Sequence, residues 1–330
     1  KKLIFLALFA GCLWAANNDT IPLNKKTASR LGEESVVGKP QLGVKKAGPQ
    51  ETEGFIAKPY AASLSVFGTS RLNATSLKKF LGKSYDEWIA KGIAGDPGAS
   101  ALEQKLVKKI KAKYGFAEVE WSIVQFFEPQ DLALHITLDV VEKADIAKRM
   151  PFLPAPTQVL VDPGFMVRQW IEYENTALDL VNAGELEPQE QECPALHCPF
   201  GHKHAKLKKY EKIFVEGVRK YETELMKILA FDQRAQFRAA AAYLLPYLID
   251  GKKVVPHLVE RVYDPDATVR NNALRVLGEI AEFHPEHVIA LKSIIEALNF
   301  PRASDRAKAV FVASAMSLHS QNARDELRKT

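Results

Sequence analysis

The chain of 330 residues has little sulfur and few indoles: three cysteines, four methionines and four tryptophans. Three cysteines exclude a disulfide-dense mini-scaffold. A surplus of one charge sign is lacking too: 45 basic against 40 acidic residues give +5, too little to argue for nucleic acid without a concentrated patch. The signatures of common enzymes are missing. There is no Gly-x-Ser-x-Gly elbow, no His-Glu-x-x-His pair and no dinucleotide glycine fingerprint. Gly82-Lys83-Ser84 matches the end of a phosphate-binding loop, but Leu77 stands where the loop needs glycine.

What is present is a packed, globular composition, 47% apolar and 26% charged, which excludes a chain disordered throughout or one crossing a membrane many times. At about 150 residues per domain, the length suggests two domains.

Lys1-Lys2 precede an uncharged apolar run, Leu3 to Ala16, before Asn17-Asn18-Asp19. Two cations and an apolar core shorter than the roughly 20 residues of a spanning helix are the pattern of a secretory leader. Residues 1–16 are therefore read as a signal peptide, with two competing routes. Phe9-Ala10-Gly11-Cys12 is similar to a bacterial lipoprotein box, which would lipidate Cys12 and attach the chain to a membrane surface. Cleavage after Ala15 or Ala16 would instead release an unlipidated chain and leave Cys193 and Cys198 as an even pair. Loss of the leader leaves 43 basic against 40 acidic residues, or +3. Residues 17–58, rich in Lys, Gly, Glu and Pro without apolar period, read as a tether.

Residues 59–145 read as an α+β domain. A strand over Ala62 to Phe67 ends at Gly68, and Asn73 offers a cap to a helix bearing Leu77, Phe80 and Leu81. Leu102, Leu106, Ile110 and Tyr114 mark a second helix stopping at Gly115. Val119, Trp121 and Ile123, then Leu132 through Val140 at every second residue, mark two strands joined at Glu128-Pro129-Gln130-Asp131. The order β-α-α-β-β, with Tyr114-Gly115-Phe116 entering the hairpin, resembles the POTRA (polypeptide-transport-associated) module of bacterial envelopes. That resemblance implies a periplasmic module that binds polypeptides by adding a strand to a sheet edge.

Residues 146–205 read as a connecting segment. Pro151, Pro154, Pro156 and Pro163 break its first part, and a helix with Met166, Trp170, Tyr173 and Leu178 follows. From 206 to 330 the pattern is an all-α solenoid. Val255-Pro256-His257-Leu258 and Arg261 through Leu274, which contains Asp264-Pro265-Asp266 and Val269-Arg270, resemble a HEAT repeat. Arg238, Arg270 and Arg306 each precede an alanine by three, at spacings of 32 and 36 residues. Three repeats are expected, with Pro256 and Pro265 in first turns of helices, Asp264 as a cap, the arginines paired with turn aspartates of neighbours, and Ala241, Ala273 and Ala309 allowing close approach. A helix over Lys206 to Leu229 would cap the stack.

Cys193, His197, Cys198, His202 and His204 fall within twelve residues. Two readings stand: a Cys193–Cys198 disulfide beside solvated histidines, or N and S donors for zinc or copper. Lys206, Lys208, Lys209 and Lys212 form a candidate basic patch for anionic lipid or an acidic partner, against a solvated helix face. A non-enzymatic, exported envelope scaffold without cofactor, partnered by envelope or secreted proteins and not by nucleic acid, is the functional expectation. A metal-binding envelope protein is the alternative.

Overall fold

A computed structural model of the chain describes residues 58–127, 131–186 and 193–329. The leader, Cys12, the tether up to residue 57 and most of the turn at 128–131 lie outside the described residues. Two compact units divide between Ile146 and Ala147.

The first unit runs β1 (Lys58–Phe67), α1 (Ala74–Leu81), α2 (Lys83–Ala94), α3 (Gly98–Tyr114), β2 (Glu118–Phe127) and β3 (Asp131–Val141). It is α+β, as expected, but carries one helix more than β-α-α-β-β. The stretch after Gly82 is a full helix, α2, set off from α1 because Gly82 ends the first helix and starts the next at a positive φ of 56°. Asn73 caps α1 by accepting a hydrogen bond from the Ser76 amide at 2.9 Å. Gly115, at φ 70°, ends α3, a conformation that glycine adopts without steric cost.

The sheet is mixed, in the order β1-β3-β2, with β1 parallel and β2 antiparallel to the central β3. Strand alternation works as read. Val119, Trp121, Ile136, Leu138 and Val140 are buried with Leu77 and Ile110 from the helices, and Trp88 packs on Trp121 at 4.7 Å between ring centroids. On the other face Tyr60, Val124 and Phe126 are exposed.

A helical turn, Ile146–Arg149, spans the boundary, and the second unit then contains α4 (Met166–Ala183), α5 (Ala205–Lys220), α6 (Glu222–Phe231), α7 (Ala235–Leu244), α8 (Gly251–Arg261), α9 (Ala267–Phe283), α10 (Leu291–Ala297), α11 (Ala303–His319) and α12 (Gln321–Leu327). The pairs α6/α7, α8/α9 and α10/α11 stack in series. Ala241, Ala273 and Ala309 are wholly buried between them. A Cβ on Gly278 of α9 would stand 2.2 Å from the Phe311 ring of α11, so this approach requires glycine. The expected single helix from Lys206 to Leu229 is two helices, broken at Tyr221.

Residues 147–205 are part of this unit rather than a connector. The prolines keep 150–162 out of helix, with one strand-like bridge from Gln158 to Asp232, and the segment lies across three inter-helix turns in reverse order. Arg149 Nε donates to Asn299 O at 3.0 Å, Leu153 N to Tyr263 O at 2.7 Å, and Gln233 N to Gln158 O at 2.6 Å. Then α4 supplies Trp170 and Tyr173, both fully buried, to an aromatic core with Phe214, Tyr243 and Tyr247. No described helix is long and apolar enough to cross a membrane.

Candidate functional site

The repeat is held by a ladder of arginines along its turns, Arg238 and Arg270 buried and Arg306 half-buried. Arg238 donates from Nε and Nη2 to the two oxygens of Asp264, at 2.9 and 2.7 Å. Its Nη1 reaches back to the carbonyls of Asp232 and Gln233 in its own turn. One repeat on, Arg270 does the same with different partners. Its Nη1 binds the carbonyls of Asp264 and Pro265, while Nε and Nη2 both bind Asp305 Oδ2 at 2.8 and 2.7 Å. Arg306 Nη1 donates to the carbonyls of Phe300 and Pro301. Each arginine thus binds carbonyls six and five residues before it, fixing the entry to its helix.

The pairing expected for the arginines holds for Arg238, whose partner is a turn aspartate of the next repeat. Asp305 sits instead in the first turn of α11, because Phe300 occupies the position that Asp264 has in its own repeat. Burial pushes the Asp305 carboxyl up against the pull of Arg270. Three further expectations need correction. The cap of α9 is Asp266, whose Oδ1 accepts from the amides of Thr268 and Val269, which leaves Asp264 to the arginine. Pro256 lies inside α8, since Asp250 caps that helix six residues before it. Pro265 precedes the cap of α9 rather than lying in its first turn.

Cys193 and Cys198 form a disulfide, with Cα atoms 5.6 Å apart. It closes a loop whose Leu196 enters the core and donates its amide to Pro246 O. His197 and His202 are buried rather than solvated, His204 is half-buried, and the three rings do not converge with the sulfurs. His197 lies on Tyr243 at 5.5 Å, which lies on Trp170 at 5.3 Å. Burial, with Arg275 adding to it, pulls the His197 imidazole down to about 3. His202 Nε2 bonds the Tyr247 hydroxyl at 2.6 Å, and burial lowers its pKa as well. His204 caps α5 by accepting the Lys206 amide at Nδ1. Both sulfurs are spent on each other and each ring serves a different structural task, so the zinc or copper reading loses its donor set. Among the described residues no group of three or more His, Cys, Asp or Glu is placed to hold a metal.

The basic patch is largely neutralised. Lys206 pairs with Glu185, Lys209 with Glu172 and Lys212 with Glu216, leaving Lys208 of the four without an ion pair among the described residues. Sequence alone hides this, because Glu172 and Glu185 arrive from α4 and its end.

A titratable group around α9 was not anticipated. Burial, then the neighbouring Glu282, pushes the Glu279 carboxyl up to about 7, with Arg275 opposing. Burial also raises Glu174 on α4, again against Arg275. The only sequence signal was the helical phase of Glu174, one turn after the core residue Trp170. Apolar side chains left in solvent complete the unit: Val159 and Val161 on the extended segment, Phe231 beside it in sequence contact with Asp232, and Val310 and Leu318 along α11.

A comparison with curated proteins finds no match to the chain. The HEAT repeat family matches residues 254–284, the span of α8 and α9 with the Asp264 turn between them.

Proposed function

We propose that this chain is a non-enzymatic, exported envelope protein that binds other polypeptides, the helical repeat acting as scaffold and the first unit adding a client strand to its sheet. HEAT repeats are protein-interaction scaffolds in general. The observation that carries the reading is the open face of α11. Ala307, Val310, Ser314 and Leu318 are all exposed, and the last two apolar residues among them, Val310 and Leu318, are 56% and 68% exposed. Exposed apolar stripes of this kind mark contact sites.

Support for strand addition is topological. β1 and β2 are the two edges of the sheet. β2 is the better acceptor, since it spans ten residues without proline whereas β1 contains Pro59. The POTRA resemblance points the same way.

Export is supported by the Lys1-Lys2 and Leu3 to Ala16 pattern. Intact mass of the protein isolated from its native cells separates the routes: cleavage after Ala15 or Ala16, lipid on Cys12, or an unprocessed leader, which would refute export. Crosslinking in an envelope extract, followed by hydrogen exchange on the captured complex, tests binding. Strand addition requires new protection of amides in β1 or β2. Protection confined to α6–α12 would leave the scaffold and remove the strand mechanism.

A further inference from the structure

The charges of the first unit are sorted by layer. From Lys58 to Ile146 there are 12 basic and 11 acidic residues, yet the helical stretch from Ala74 to Tyr114 holds nine basic against four acidic, or +5, and the remainder is −4. The helical excess is gathered on one surface. Lys109 and Lys113 approach the Phe80 ring, with ammonium-to-centroid distances of 4.8 and 5.3 Å, and Lys109 also donates to Phe80 O. This joins the end of α1 to the C-terminal half of α3. Lys105, Lys109 and Lys113 follow at intervals of four residues, a line of about 12 Å along α3. Beyond Phe80, Lys78, Lys79 and Lys83 line a shallow cleft of about 470 Å³ at the α1–α2 elbow.

Apart from one weak contact, these cations are not paired with carboxylates among the described residues. Lys78 meets Asp86 at 3.9 Å, both exposed, a pairing of little energetic weight. Lys79, Lys83, Lys105, Lys108, Lys109 and Lys113 have no carboxylate within ion-pair distance among the described residues, unlike Lys206, Lys209 and Lys212 of the second unit.

We propose that this lysine surface of α1–α3 docks on an anionic phospholipid membrane. The chemistry favours headgroups over nucleic acid. The surface holds lysines and no arginine, so it offers mobile point charges rather than planar forks for bases and phosphates. Its aromatic ring, Phe80, is flanked by two ammonium groups and cannot serve as a stacking platform for bases. Six unpaired lysines on one helical layer match a sheet of anionic headgroups, whose attraction grows with each lysine brought near the surface. The proposal does not depend on the scaffold reading of the solenoid.

The test is sedimentation of the full chain with phosphatidylcholine vesicles, with and without about one-third phosphatidylglycerol. Binding should require phosphatidylglycerol and fall as salt rises from about 0.05 to 0.3 M. The triple variant Lys105→Gln, Lys109→Gln, Lys113→Gln replaces exposed side chains, and circular dichroism checks its fold. Its partitioning should drop by about tenfold or more. The control, Lys206→Gln, Lys209→Gln, Lys212→Gln, should stay close to the parent. Equal binding to neutral vesicles, a triple variant within about twofold of the parent, or equal losses in both variants would overturn the proposal. So would tighter capture by a single-stranded oligothymidylate than by anionic vesicles, since the anionic partner would then be nucleic acid.

Discussion

Arg238 on α7 and Asp264 in the α8–α9 turn of the next repeat form a two-pronged ion pair in which neither side chain exceeds 2% exposure. An ion pair so buried gains little over an apolar packing, but removal of one partner strands the other charge away from water. Asp264→Ala should therefore destabilise the second unit by about 3–5 kcal/mol, measured by urea unfolding. The double variant Arg238→Met, Asp264→Leu should recover much of that loss. If the double variant is as unstable as the single one, the pair is not the source of the effect.

The disulfide loop should matter through what it seats. Joining Cys193 to Cys198 closes a very short loop, for which chain entropy gives about 2 kcal/mol. The loop also holds Leu196 in the core and His197 on Tyr243. Cys193→Ser with Cys198→Ser should lower the melting temperature by several degrees, as should reduction of the native protein. A double variant that melts with the parent would show that packing alone fixes the loop.

Why the solenoid was readable and the loop was not follows from where the signals lie. The Arg-x-x-Ala spacing and the Asp-rich turn are local, and both ends of the contact logic fall within one repeat length. The histidines look like ligands only while they are counted along the chain. His202 is neutralised as a ligand by Tyr247, 45 residues on, and the Lys209 charge by Glu172, 37 residues back. The same holds for the proline-rich segment: a break in helix was legible in Pro151, Pro154 and Pro156, but the turns it crosses lie 72 to 150 residues away. In the first unit, alternation gave β2 and β3 correctly, whereas α2 was passed over because Gly82 masks the restart of the helix.

Two groups in the second unit should give its stability a plateau in pH. Glu279 has an ordinary value of 4.5 and titrates at about 7 when folded. The folded state therefore holds this proton more tightly, and its contribution is full below about 4.5 and lost as pH rises through about 7. His197 runs the other way, from 6.5 down to about 3. It favours the folded state above about 6.5 and that advantage is lost as pH falls toward 3. The opposed slopes cancel between about 4.5 and 6.5, leaving Glu279 to govern the higher side. Glu279→Gln should leave the His197 slope unopposed, so that the variant gains on the order of 2 kcal/mol relative to the parent between pH 5 and 8, read as melting temperature against pH. A parent and variant that decline in parallel would exclude Glu279 as the cause.

The extended segment should behave as a strap on the repeats. Phe152 is where it grips: its ring stands edge-on to Phe300 at 5.2 Å, and the Arg270 guanidinium lies over it at 4.1 Å. Arg270 is the same residue that joins α9 to Asp305 of α11, so Phe152 covers a rung of the ladder as well as filling the turn below. Phe152→Ala should cost about 2–3 kcal/mol, below the roughly 3–5 kcal/mol of a fully buried phenylalanine because the ring is only partly buried. The loss should be uneven. Hydrogen exchange should accelerate in the turns at Tyr263 and Asn299, which Leu153 and Arg149 bind, more than in α4, which Trp170 anchors independently. Uniform acceleration across α4 to α12 would mean that the segment and the repeats unfold as a single unit and that Phe152 has no local role.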